Sequence, residues 1–247
     1  MLASASPRRA ELLRAAGLTF ETLVVDIDET ARPDEEPAAY VRRLAMEKSA
    51  AAYGPAKEFV KNLAGSRLQA SGSGKISRKV LSEARSLEPE AGLRKETSGH
   101  EREADIVSGF RTGDTGEAPI ILAADTAVVV DGEILGKPRD DRDAERMLRR
   151  LSGRRHQVLT GVSLRRNELE RGLVETTAVE LAPLGDADVA WYVRSGEGKD
   201  KAGAYAIQGL ASRFITRIEG SYSNVVGLPI HTVFTLLQEW RETGYSL

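Results

Sequence analysis

The chain has 247 residues, 41% of them hydrophobic, enough for one large domain or two small ones with a buried core. Its formal net charge of -2, from 35 basic and 37 acidic residues, excludes the basic excess of a general nucleic-acid or membrane-surface binder and leaves room for a local anion site. With no cysteine, disulfides, thiolate metal sites and a Cys nucleophile are excluded, and with only three scattered histidines (His100, His156, His231) a zinc site is disfavoured. No apolar run nears the ~18 residues of a membrane span, and the first residues lack the basic and apolar regions of a signal peptide. A cytoplasmic protein is the expectation.

Met1-Leu2-Ala3 is a short apolar run that breaks into Ser4-Ala5-Ser6-Pro7-Arg8-Arg9. Guanidinium groups grip phosphate bidentately, and hydroxyls with free backbone N–H groups at a helix start near Pro7 add donors. Taken alone, the segment also reads as a capped surface helix with two solvated arginines. A helix over 10–16 should stop at Gly17, and a β-branched strand over 20–25 runs into the acidic cluster Asp26-Ile27-Asp28-Glu29. The spacing of Tyr40, Val41, Leu44 and Ala45 predicts an amphipathic helix from 37 to 53, carrying Glu47 and Lys48 and ended by Gly54-Pro55. Residues from about 57 to 119 are polar and punctuated by Gly and Ser, and read as a flexible insertion in a single domain spanning 1–247.

The core resumes with an apolar strand over 120–124 that ends at Asp125-Thr126. A second strand over 127–130 turns at Asp131-Gly132 into a return strand over 133–135, followed by Gly136-Lys137-Pro138. Helices are expected over 140–151, 186–195 and 229–243, and strands over 156–164, 174–181 and 212–218. Strands interleaved with helices and joined through a hairpin define an α/β fold with a mixed sheet.

Polar motifs recur where strand patterns stop: the Ser-Pro-Arg segment, Asp28-Glu29, Asp125-Thr126, Gly136-Lys137-Pro138 and Gln208-Gly209. Ligands of open α/β sheets lie at such ends, so these groups are expected to share a cleft. Carboxylates can hold Mg²⁺ against substrate phosphates while Arg8, Arg9, Lys48 and Lys137 neutralise a polyphosphate. With no Cys and no Ser-His-Asp pattern, water is the expected nucleophile. Each residue has a plainer alternative: Asp125 as a turn cap, Lys48 beside Glu47 as helix-surface charge, Lys137 as a turn residue, Gln208 as a strand-end hydrogen bond and His156 as the start of a strand.

The same motifs, with Ser152-Gly153, His156-Gln157-Val158, Thr160-Gly161 and the segment 220–229, resemble the Maf family of nucleoside triphosphate pyrophosphatases. The resemblance spans both ends of the chain and leaves out chiefly residues 57–119. It implies an elongated mixed β-sheet flanked by helices, two lobes around a deep nucleotide cleft, a divalent cation (Mg²⁺ or Mn²⁺), and hydrolysis between the α- and β-phosphates. Position by position, Asp125 resembles the family's proton acceptor and Glu29 its acidic metal partner. Lys48 and Lys137 match phosphate-binding catalytic positions, with Ser4, Ser6, Arg8 and Arg9 around the substrate. Arg8, Thr126 and Gln208 match specificity positions of the branch acting on dTTP and UTP, which cleanses the nucleotide pool. The 7-methyl-GTP branch and a nucleotide-binding regulator of septum formation remain as alternatives, and a homodimer is a candidate assembly. Only three residues precede the motif, which points to a start upstream of Met1.

Overall fold

A computed structural model describes residues 1–71 and 118–242. The expected insertion therefore lies largely outside the described residues. Seven strands form one mixed sheet: β1 (Leu2–Ala3), β2 (Thr22–Leu23), β3 (Ile121–Val130), β4 (Glu133–Leu135), β5 (Arg155–Arg166), β6 (Leu169–Leu181) and β7 (Ile215–Glu219). Their order is β2-β1-β3-β5-β6-β7, with β4 paired to β3. The β2-β1-β3 pairs are parallel and the others antiparallel, giving the expected mixed α/β sheet. The helices are α1 (Pro7–Ala15), α2 (Pro37–Ser71), α3 (Asp141–Leu151), α4 (Asp186–Ser195), α5 (Tyr222–Val226) and α6 (Ile230–Glu242).

Local chemistry accounts for most boundaries. Helix α1 starts with Pro at its first position, where a missing N–H removes no bond, and closes over Gly17 at φ 78°. Helix α3 is capped by Asp140, whose carboxylate accepts from the Asp143 N–H at 2.7 Å. The hairpin β3–β4 turns through Asp131 and Gly132, both with positive φ.

Three expectations are corrected. Helix α2 does not stop at Gly54-Pro55. Ala52 and Ala56, one turn apart on either side of that pair, are fully buried against Ala3, Ile121 and Ala123, tertiary packing that acts against the local ~3 kcal/mol penalty of an internal proline. Residues 120–124 and 127–130 are not two strands: β3 runs unbroken through Asp125 and Thr126, which pair with Gly161 and Thr160 of β5. The strand expected over 212–218 begins only at Ile215, after a 3₁₀ turn at Leu210–Phe214, so Gln208 follows no strand.

Strand β3 organises the core because its side chains alternate between faces. On one face Ile121 and Ala123, then Ala127 and Val129, pack beneath α2, with Asp125 between the two pairs. On the other, Leu122 and Ala124 join the cluster under α1 and α6, Val128 and Val130 join that under α3 and α4, and Thr126 lies between. The position facing Asp125 on β5 matters equally. A Cβ on Gly161 would lie 2.2 Å from the Val41 carbonyl oxygen and 2.8 Å from the Arg42 nitrogen, so glycine is what lets α2 settle onto the sheet beside Asp125.

Gly161→Ala should destabilise the fold by on the order of 3 kcal/mol or prevent soluble expression, because helix backbone cannot yield as a side chain can; denaturant unfolding of the purified variant checks this. A second expectation concerns acid. His156 is buried, with Nε2 2.8 Å from the Tyr205 hydroxyl, and burial lowers its pKa from 6.5 to about 4. The unfolded chain therefore binds the proton first, and stability falls as pH drops from 6.5 towards 4, by about 3 kcal/mol for this group. His156→Gln should flatten that part of the stability-against-pH curve relative to the native chain; parallel curves would refute the assignment.

Candidate active site

Along one edge of β3, β1 pairs only as far as Ala123 and β4 begins only at Val128. Residues 124–127 thus face a breach in the sheet, and a cavity of about 520 Å³ opens there. Asp125 and Thr126 point to opposite faces yet both border it, because the gap lets the cavity reach around the strand. Its wall includes the ten residues that the resemblance assigns to the site: Ser4, Ser6, Arg8, Arg9, Glu29, Lys48, Asp125, Thr126, Lys137 and Gln208.

The centre of the site is Lys48. From α2 its Nζ lies 2.6 Å from Asp125 Oδ1 and 2.6 Å from Glu29 Oε1. Burial works to raise the Glu29 pKa, but hydrogen bonding and charge from Lys48, with Lys137 and Arg9 beyond, outweigh it and hold the carboxyl below its ordinary range. Lys137 is exposed on the connection after β4, which is held by the Gly203 N–H donating to the Gly136 carbonyl at 3.1 Å. Asp28 turns away to accept from the Thr30 N–H at 2.9 Å, leaving Glu29 as the acidic cluster's contribution.

The two adjacent arginines differ. Arg9 donates through Nε to the Gly227 carbonyl at 2.7 Å, through Nη1 to the Ala124 carbonyl at 2.7 Å and Ser4 Oγ at 3.3 Å, and through Nη2 to Thr126 Oγ1 at 3.0 Å. It ties the first loop, the open edge of β3 and the end of α5 together. Arg8 makes no hydrogen bond or ion pair among the described residues; burial lowers its pKa, against the nearby charges of Asp200 and Glu11. Helix α1, whose Ser6 cap makes no side-chain hydrogen bond, presents its first N–H groups beside it. Thr126 Oγ1 also meets Thr160 Oγ1 at 2.9 Å, so its hydroxyl is engaged within the protein. Gln208 is exposed on the wall.

Sequence reasoning missed two contributors. Tyr40, expected only as part of an apolar helix face, lines the cavity and donates its hydroxyl to the Glu29 carbonyl at 3.0 Å. Burial, then the charges of Asp125 and Glu29, push its pKa up to about 12, so it stays a donor. Asn224 is fully buried and donates to the Val158 carbonyl and Thr177 Oγ1, both at 3.0 Å, fixing α5 behind the cavity. It lies in the segment 220–229 that carries part of the resemblance, which gives it no role; locally, Ser221 caps α5 by accepting from the Asn224 N–H.

An open mixed sheet with cationic and acidic groups gathered at its edge is the frame of an anion-handling α/β protein. The family model described as Maf-like protein matches residues 1–240, and the chain belongs to that family. Similar relatives named dTTP/UTP pyrophosphatase include three from different bacteria. Those of Anaeromyxobacter dehalogenans (strain 2CP-C) and Symbiobacterium thermophilum are each 40% identical, covering 100% of this chain and 95% of the relative. That of Vibrio vulnificus (strain YJ016) is 38% identical over 97% of both chains.

The geometry separates the arginines by experiment. Arg9→Ala strands the Ala124 carbonyl, leaves the Gly227 carbonyl only the longer bond from Thr126 Oγ1 at 3.3 Å, and should cost on the order of 3 kcal/mol of stability, whereas Arg8→Ala should shift it by under about 1 kcal/mol. Chemical denaturation of both variants reads the contrast directly; equal losses would contradict it.

Proposed function

We propose that this chain hydrolyses dTTP and UTP, and related modified pyrimidine nucleotides, to the nucleoside monophosphate and pyrophosphate. The observation that carries the reading is Lys48 held 2.6 Å from both Asp125 and Glu29 at the edge of a cavity lined by Arg8 and Lys137. Two carboxylates converging on one cation position suit a divalent ion as well as an ammonium. Among the described residues no third His, Cys, Asp or Glu joins them, so substrate phosphate and water would complete the shell, as Mg²⁺ favours. Glu29 and Asp125 would hold the ion, which when bound polarises the phosphates and screens their charge.

In this reading Arg8, Lys137 and the open N-terminus of α1, with Ser4 and Ser6, hold the triphosphate, and Arg9 and Tyr40 brace the groups that do so. A water adds to the α-phosphorus while Asp125 accepts its proton. The α–β bridging P–O bond breaks, its electron pair leaves with pyrophosphate, and Lys48 and Lys137 stabilise the developing charge. Gln208 offers an amide that can both accept from N3–H and donate to O4, the edge that thymine and uracil share. Thr126, committed to its neighbours, shapes the wall. The cytoplasm, where nucleotides are pooled, is the matching location, and among the described residues no helix is long and apolar enough to cross a membrane.

Pyrophosphate release over a panel of dTTP, UTP, CTP, GTP and 7-methyl-GTP with Mg²⁺ or Mn²⁺ tests the reading. The expected optimum is dTTP and UTP, and Asp125→Asn should lower turnover by ~10²–10⁴-fold while retaining the fold. An optimum on 7-methyl-GTP, or an Asp125→Asn enzyme retaining more than about a tenth of native turnover, overturns it.

A further inference from the structure

Gln208 forms no hydrogen bond among the described residues, so no protein partner orients its amide and the backbone sets the region the amide can reach. That backbone is held from both sides by two residues outside the cavity wall. On one side, the Ala206 N–H donates to the Tyr192 hydroxyl at 3.0 Å. On the other, Glu197 Oε1 accepts from the Leu210 N–H at 2.8 Å and Oε2 from the Ala211 N–H at 3.2 Å. The Tyr192 hydroxyl closes the circuit by donating to Glu197 Oε2 at 2.8 Å. Every donor in it has one acceptor, and burial raises the Tyr192 pKa, which keeps its proton in place.

Gly209 fits the same device. Its φ is +124°, and a Cβ there would lie 2.1 Å from Glu197 Oε1, so the chain beside Gln208 presses directly against the carboxylate. Tyr192 is itself fully buried, packed with Phe214, Trp191 and Val189.

We infer that Tyr192 and Glu197 are positioning residues for base selectivity: they clamp the segment 206–211 so that the Gln208 amide is presented at a fixed place and angle. The inference rests on Gln208 reading the base, as proposed above. A side-chain amide with no support of its own discriminates only if its anchor is rigid, because misplacement weakens right and wrong pairings towards equality. The reacting groups on α2 and β3 lie outside the clamp, so chemistry should be largely spared.

Glu197→Gln is nearly isosteric but leaves one carbonyl oxygen for three donors, and Tyr192→Phe keeps the ring while removing the hydroxyl. Each should cut the ratio of kcat/KM for dTTP over CTP by about fivefold to tenfold, chiefly through KM for dTTP, with kcat on dTTP kept within about threefold. Inhibition by inorganic pyrophosphate, which senses the phosphate subsite, should not change in Tyr192→Phe, the variant that alters no charge; Glu197→Gln removes a charge that acts on Arg8 and is not used for this readout. In a Gln208→Ala background neither substitution should lower the ratio further. Gln208→Ala alone is the control for the underlying reading: if it leaves the ratio intact, base reading by Gln208 fails and the clamp with it. If Gln208→Ala lowers the ratio while Glu197→Gln and Tyr192→Phe do not, or if these two depress kcat equally on every nucleotide, the clamp alone is overturned. Should Glu197→Gln not fold, Tyr192→Phe carries the test unaided.

Discussion

Holding an ammonium within hydrogen-bonding distance of two carboxylates at a partly buried position is costly, since all three groups give up water. Mutual attraction alone does not guarantee a return. The arrangement of Lys48, Asp125 and Glu29 therefore has to be imposed by packing. Helix α2 supplies it through Val41, Leu44, Ala45, Ala52 and Ala56, all fully buried, on both sides of Lys48 along the helix. The Ser49 hydroxyl, 2.8 Å from Ser163 Oγ, adds a polar tie in the same contact. The third group arrives on an irregular connection. That connection is braced by Arg43, which meets Glu35 at 2.6 Å and donates to the Thr30 carbonyl at 3.1 Å, and by Tyr40 on the Glu29 carbonyl.

The sheet contributes the complementary constraint. Because β3 is a central strand paired fully with β5, Asp125 sits on a rigid element and not on a loop. Because its other edge is interrupted, that rigid position still reaches a ligand-sized space. Arg9 joins the two halves of this solution by occupying the Ala124 carbonyl, which the missing strand would otherwise have satisfied.

Much of this was legible from residue order. The Ser-Pro-Arg turn, the acidic cluster, Lys48, Asp125, Lys137 and Gln208 can all be nominated from motifs, and all border one cavity. The differences have physical causes. Asp125 reads as a strand end because a lone carboxylate in an apolar run normally marks one, and the Lys48 contact from a distant helix, with the charge of Arg9 nearby, makes a mid-strand charge tolerable. Gly54-Pro55 reads as a helix stop because its penalty is local, whereas the burial of Ala56 that offsets it is tertiary. Arg8 and Arg9 are indistinguishable in sequence; position on α1 alone decides that one faces the cavity free while the other meets two backbone carbonyls contributed by β3 and by the end of α5. Tyr192 and Glu197 bear no motif signal, since backbone N–H groups 14 residues away complete their contacts.

An interrupted strand edge is ordinarily a hazard, because unpaired backbone groups invite a strand from another molecule and so nucleate aggregates. Here the gap at residues 124–127 is bounded at both ends by β1 and β4 and plugged at Ala124 by a guanidinium. It is shorter than the five or six residues of a typical strand, so no foreign segment of useful length can add to it. The outer edges of the sheet are guarded in another way: β2 offers only Thr22 and Leu23, and β7 carries Arg217 and Glu219. The chain can thus leave strand backbone beside its substrate pocket without offering other copies of itself a template on which to assemble.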